Sequence, residues 1–99
     1  MRLTILGSSS AANGYVLDNG HEALVLECGC PLVDLQRAVD FDLRRVAGVL
    51  LTHEHGDHAR HAKKYVKSAL PIYASEGTLM KLPEEVLAST FSHPMRPPK

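Results

Sequence analysis

The chain has 99 residues, 44% of them hydrophobic, and its eleven Lys and Arg balance eleven Asp and Glu. That length makes one compact domain and excludes a second independent core. With no net charge, composition argues for neither a nucleic-acid nor a membrane partner, so an anionic substrate has to be attracted locally. No apolar stretch approaches membrane-spanning length, and the run before Gly7 is too short for a signal-peptide core, so the chain reads as cytoplasmic with no membrane partner. Cys28 and Cys30 flank Gly29, too close for an ordinary bridge, which also fits a reducing compartment. They read as small thiols at a strand-end turn, with Cys-x-Cys ligation of a metal as the weaker alternative.

Arg2 to Leu6 alternates and is β-branched enough for a first strand, ended by Gly7 and a serine-rich turn. Tyr15 to Leu17 and Ala23 to Leu26 read as the next two strands, joined through Asp18-Asn19-Gly20, whose Asn-Gly is a strong hairpin signal. Three short antiparallel strands therefore open the chain. Pro31 suits the first turn of a helix, and Leu32, Leu35, Ala38 and Val39 repeat at helical spacing. Val46 to Leu51 is a continuous apolar run, as expected of a strand covered on both faces.

A second helix is expected from Ala59 to about Ala69, with Ala59, Ala62, Val66 and Leu70 on one face and Arg60, Lys63, Lys64 and Lys67 on an adjacent one. Pro71 to Ala74 is a short strand, and Glu76 to Leu82 a short helix with Ser75 as its N-cap. Pro83 to Ala88 suits one more turn or two of helix. Ser92 to Lys99 carries three prolines in eight residues and is expected to be irregular. The chain thus divides into a domain over 1–90 and an irregular or disordered tail over 91–99.

The chemistry concentrates in Leu51-Thr-His-Glu-His-Gly-Asp-His58, which follows the apolar strand directly. A lone histidine is more often an ordinary residue than a ligand. Three imidazoles and a carboxylate beside a glycine are hard to explain as packing, because His and Asp are costly to bury unpaired. Imidazole and carboxylate donors suit zinc, with Mn, Fe, Ni and Co as alternatives that ligand type does not exclude. In an extended segment residues two apart project to the same side, so His53 and His55 can grip one ion. Asp57 and His58, displaced by the turn at Gly56, then face a neighbouring position. Two ligand pairs on one loop predict a two-metal site, with ions about 3.5–4 Å apart, and metal-assisted hydrolysis as the reaction class. A strand's carboxyl end is where open α/β sheets usually place their sites. Arg60, Lys63, Lys64 and Lys67 are candidates for steering a phosphate backbone toward the loop, against the plain reading of a solvated helix face.

The run His-x-His-x-Asp-His over 53–58, preceded by a hydrophobic strand and Thr52, resembles the signature of the metallo-β-lactamase superfamily. Gly7-Ser-Ser-Ser-Ala-Ala-Asn13 is similar to the serine-rich turn of the branch that includes the YycJ-like exonucleases and the cyclic phosphodiesterases of phosphonate metabolism. Leu26-Glu-Cys-Gly29 stands at that branch's strand-end Asp-x-Gly, with Glu27 in place of the Asp. The resemblance covers roughly residues 1–82. It implies an α/β fold, the amino-terminal half of an αββα sandwich, with a mixed, mostly antiparallel sheet and helices on one face. It also implies that His53 and His55 hold a first metal, that Asp57 and His58 hold a second, and that the catalytic residue Asp57 helps position the nucleophile. Glu27 would orient the loop by hydrogen bonding, the alternative being a solvated strand-end carboxylate. The substrates implied are phosphodiesters rather than β-lactams. The motifs with which the family's second half adds a His to each metal and a bridging Asp do not occur in this sequence. His93 does not stand in a third-ligand segment, His61 reads as solvated, and His21 lies beside the hairpin turn.

The same residues support two functional expectations. In the first, the chain is the truncated half of a metal-dependent hydrolase of phosphodiesterase or nuclease type, whose activity requires the missing half or a second copy in a homodimer. In the second, it is a non-catalytic remnant that binds metal weakly or serves as a protein-interaction module. Two donors per ion fall short of the three that a catalytic zinc normally has, which is where the two expectations divide.

Overall fold

The computed structural model describes residues 1–95. Strands β1 (Arg2–Ser8), β2 (Asn13–Asp18), β3 (Ala23–Leu26), β4 (Val46–Leu50), β5 (Ile72–Ser75) and β6 (Ser92–Met95) lie in one sheet in chain order. The first three are antiparallel because short turns join them. Between β2 and β3 the chain turns on Gly20 at φ 93, with its amide donating to Asp18 Oδ1 at 2.7 Å. Asn19 Oδ1 accepts the next two amides, at 2.8 and 2.7 Å, which is the local chemistry the Asn-Gly signal relies on. Arg45 Nη2 donates to Asp18 Oδ1, so Gly20 and Arg45 together hold that carboxyl below its ordinary value.

Each later strand follows a helical crossover and therefore pairs parallel. Helix α1 (Leu32–Ala38) precedes β4, α2 (Gly56–Ala59) and α3 (Ala62–Lys67) precede β5, and α4 (Glu76–Met80) and α5 (Glu84–Leu87) precede β6. The sheet is mixed, as expected, with two antiparallel and three parallel pairings, so its balance is not mostly antiparallel. Ser75 caps α4, accepting from Thr78 N at 3.2 Å.

The helices lie on one face. Alternation along the strands sends Val16, Val25, Val49 and Ile72, none more than 1% exposed, into one cluster with Leu35 of α1, Tyr65 and Val66 of α3, Leu79 of α4 and Val86 of α5. On the other face, register sets Leu3 and Ile5 beside Leu17 and Tyr15, and continues through Leu24, Leu26, Leu50 and Tyr73. Leu3 and Ile5 are 55% and 60% exposed, and the rest are half-buried. The apolar run of β4 predicts cover on both faces, and here only one is fully covered. Over Gly48 lies the Tyr73 ring, 2.8 Å from where a Cβ would stand, and His93 stacks on that ring at 4.9 Å.

Two elements depart from expectation. The helix expected to begin at Ala59 begins at Gly56 and is interrupted at Arg60–His61. The backbone of Cys28 enters the gap: Cys28 N donates to His58 O at 2.7 Å and His61 N to Cys28 O at 3.0 Å, taking groups that a continuous helix would use itself. Ser92 to Met95, expected to be irregular, forms the edge strand β6, where Pro94 is tolerated because an edge strand has one unpaired side. The rest of the expected tail, 96–99, lies outside the described residues.

Candidate metal centre

Three segments meet at the carboxyl end of β4: the loop 51–55 with α2, the end of β3 at 27–30, and the turn 9–13 between β1 and β2. Gly29 permits the meeting. A Cβ there would lie 1.9 Å from the Asp57 carbonyl oxygen and 2.9 Å from the Asn13 amide nitrogen. Gly29 N donates to Asn13 O at 3.0 Å, and the Asn13 side chain turns back to the loop. Its Nδ2 donates to Ser9 O at 2.8 Å and to Asp57 Oδ2 at 3.2 Å. The Tyr15 hydroxyl donates to Asn13 Oδ1 at 3.3 Å, which keeps the amide's donor end aimed at Asp57.

Glu27 sits at the end of β3 with φ 69 and 5% exposure. Its Oε1 accepts from Thr52 N at 3.0 Å and from the Thr52 hydroxyl, while Oε2 lies 2.9 Å from His58 Nδ1. Thr52 Oγ1 is in turn 2.8 Å from His53 Nδ1. His58 Nε2 lies 3.2 Å from Asp57 Oδ2. That separation is that of a direct contact between the two side chains, and it matches the spacing of about 3.3 Å between two donors on one tetrahedral ion.

The sequence spacing pairs His53 with His55, but the two rings are 6.1 Å apart while His53 and His58 are 4.8 Å apart. Among the described residues no group of three or more His, Cys, Asp and Glu closes to metal-holding distance. The donor types fit a divalent ion.

The sequence pattern of the metallo-beta-lactamase superfamily matches residues 9–94. The chain belongs to that superfamily. It is 29% identical over 85 residues to exodeoxyribonuclease YycJ of Bacillus anthracis, a match that covers 79% of this chain and 31% of that protein. The metallo-beta-lactamase fold protein YhfI from Bacillus subtilis is similar in structure, with a TM-score of 0.66 and 22% identity over 94% of this chain and 44% of that one. A structure described as the peroxy diiron species of chemotaxis sensor ODP superposes with a TM-score of 0.72 and 14% identity, covering 94% of this chain and 40% of that one. These likenesses show the fold. This superfamily chain spans less than half the length of each protein it is compared with here. Metallo-β-lactamase fold proteins generally bind divalent metals.

In this superfamily member the basic side chains do not form one uniform stripe. Lys63 Nζ pairs with Glu85 at 2.9 Å, leaving Arg60, Lys64 and Lys67 exposed beside it. His61, expected to be solvated, is half-buried, and burial followed by Arg60 and Lys64 keeps it below its ordinary pKa. Lys81 reaches back to Glu54 at 3.2 Å, tying the ligand loop to the end of α4. Cys28 and Cys30 are buried free thiols. A broad groove of about 750 Å³ lies at the opposite end of the sheet, and its lining includes the mutually paired Asp18 and Arg45. Sequence reasoning assigned no role to Thr52, Asn13 or Gly29. All three stand in the motifs that carry the resemblance, but their task is visible only through contacts with distant residues.

Proposed function

We propose that this chain forms the ligand-loop half of a metal-dependent hydrolase acting on phosphodiesters, of nuclease type, with zinc as the resident ion in one or two positions and Mn, Fe, Ni or Co as substitutes. The observation that carries this reading is the convergence of His53, Asp57 and His58 at the end of β4, the two imidazoles on Thr52 and the buried Glu27, and Asp57 on Asn13. His53 and His55 would hold one ion, and Asp57 and His58 the other. Bound there, a divalent ion supplies Lewis acidity at the phosphoryl oxygen and brings the pKa of water toward neutrality. Asp57, steadied by Asn13, acts as the catalytic residue by orienting the attacking water. Arg60, Lys64 and Lys67 draw the substrate's phosphates toward the loop, Lys63 being engaged by Glu85. The likeness to exodeoxyribonuclease YycJ supports a nucleic-acid substrate; a cytoplasmic setting belongs to the same proposal, and among the described residues no helix is long and apolar enough to cross a membrane.

Two donors per ion leave each position short of a catalytic set. The open apolar face of the sheet supports a homodimer, in which a second copy covers Leu3, Ile5 and their neighbours and brings a second ligand loop to the assembly. The test is hydrolysis of bis-p-nitrophenyl phosphate and of DNA with added Zn or Mn, wild type against His55→Ala, with light scattering on the same samples. Metal-dependent turnover that disappears in His55→Ala supports the hydrolase. A chain that binds zinc by calorimetry and turns nothing over supports the second reading, a non-catalytic interaction module, which the short donor set favours.

A further inference from the structure

We infer that α3 is a docking rail for the phosphate backbone of one nucleic-acid strand, and that Glu85 of α5 takes the place of one phosphate on it, holding Lys63 out of the set. The inference rests on the nucleic-acid reading above and adds to it the contacts and their control. Arg60, Lys64 and Lys67 are exposed and follow one another at i, i+4 and i+7, the spacing that lines side chains along one side of a helix. At about 1.5 Å per residue Lys64 and Lys67 stand about 4.5 Å apart along α3, with Arg60 one turn earlier. Those steps are of the same order as the rise of about 3.4 Å between phosphates of one strand. Among the described residues none of the three forms an ion pair.

The rail runs into the ligand loop. The Arg60 guanidinium stands over Gly56, between His55 and Asp57, with Nη2 and Nε 3.8 and 4.0 Å from where a Cβ on that glycine would lie. The field along the rail is positive: after burial, Arg60 and Lys64 are what hold the neighbouring His61 below its ordinary pKa, and the one opposing charge, Asp34, is engaged by Arg37 at 3.6 Å. Lys63 leans the other way, its Nζ 2.9 Å from Glu85 Oε2, so a carboxylate of the chain fills the position that an oxyanion of the strand would fill. Lys63 first and Lys67 after it hold that carboxyl below its ordinary value. Glu85 is tethered while a phosphate is not, so Lys63 stays with it until the carboxylate is neutralised. The one aromatic residue of α3, Tyr65, is fully buried, so the rail offers no face for base stacking and reads charge rather than sequence.

Fluorescence anisotropy of a labelled single-stranded thymidine oligonucleotide, titrated with the metal-free chain between about 50 and 200 mM salt, counts the contacts. Each phosphate neutralised adds about −0.7 to the slope of log K against log salt. Three contacts give a slope of about −2.1, a loss of about 20-fold in affinity across that range. Arg60→Ala and Lys64→Ala should each bring the slope to about −1.4. Glu85→Gln should release Lys63 and steepen it to about −2.8, a loss of about 50-fold over the same range. Adding Lys63→Ala to Glu85→Gln should return the slope to that of the wild type. A methylphosphonate strand of the same sequence, which lacks the backbone charge, should not bind.

No binding at about 50 mM salt, a slope that Arg60→Ala and Lys64→Ala leave unchanged, or equal affinity for the methylphosphonate strand overturns the rail. A wild-type slope in Glu85→Gln overturns the masking of Lys63. All four substituted side chains are exposed, so the variants keep the fold in which the slopes are compared. A chain that binds the strand as expected and hydrolyses no phosphodiester with added Zn or Mn would reject the hydrolase and leave the rail standing. Metal-dependent turnover of DNA with an unchanged KM in Arg60→Ala and Lys64→Ala would do the reverse.

Discussion

The two faces of this sheet are built from similar apolar residues and meet different surroundings. On one face Val25, Val49 and Ile72 have no exposed surface beneath the helices, while on the other Leu3 and Ile5 keep more than half of theirs. The stability of the fold is therefore one-sided. The candidate metal centre is braced from the covered side, where the fully buried Tyr65 donates to Cys30 O at 2.9 Å and Cys28 threads between α2 and α3. Folding and association should consequently respond to different residues.

The largest effect is expected for Val49→Asp, which places an unpaired charge in the covered face and should abolish the cooperative thermal transition. A native melt in that variant would break the comparison outright. Leu35→Ala, a cavity under the same face, should cost about 2–5 kcal/mol in urea unfolding.

The buried thiols give a subtler test. Burial first, and the charge of Glu27 second, pushes the Cys28 thiol up to about 12, and burial raises Cys30 as well. For an acid raised on folding, the contribution is fully present below the unfolded thiol value, about 8.5, and is lost as pH rises through the folded one. Thermal midpoints should accordingly fall between about pH 9 and 12, and iodoacetamide should label the native protein only as fast as it opens.

On the open face, Ile5→Lys should move unfolding free energy by no more than about 0.5 kcal/mol while removing any dimer seen by light scattering. A large loss of stability there would show that the two faces are not energetically separate. The smallest effect belongs to Lys63→Ala, whose partner Glu85 is exposed, and it should not move the denaturation midpoint measurably.

Where the chemistry is local, the elements could be read from the residues. The strand Ala23–Leu26, the Asn-Gly hairpin and the Ser75 cap all depend on neighbours within a few positions. The continuous helix from Ala59 to about Ala69 could not be read correctly, because its interruption is made by Cys28, a residue from another element. The edge strand at Ser92 was hidden by Pro94, whose cost vanishes only at the rim of a sheet.

For the site, the same division holds. Residue type and spacing by themselves marked His53, His55, Asp57 and His58 as candidate ligands on a loop at a strand end, since donor chemistry and the placement of a motif after an apolar run are local properties. Tertiary structure decided which of them converge and which sheet face is covered. Those outcomes turn on contacts that span 25 residues from Glu27 to Thr52, 31 from Glu27 to His58 and 44 from Asn13 to Asp57. Such contacts exist only once Gly29 has let the three segments close on one another.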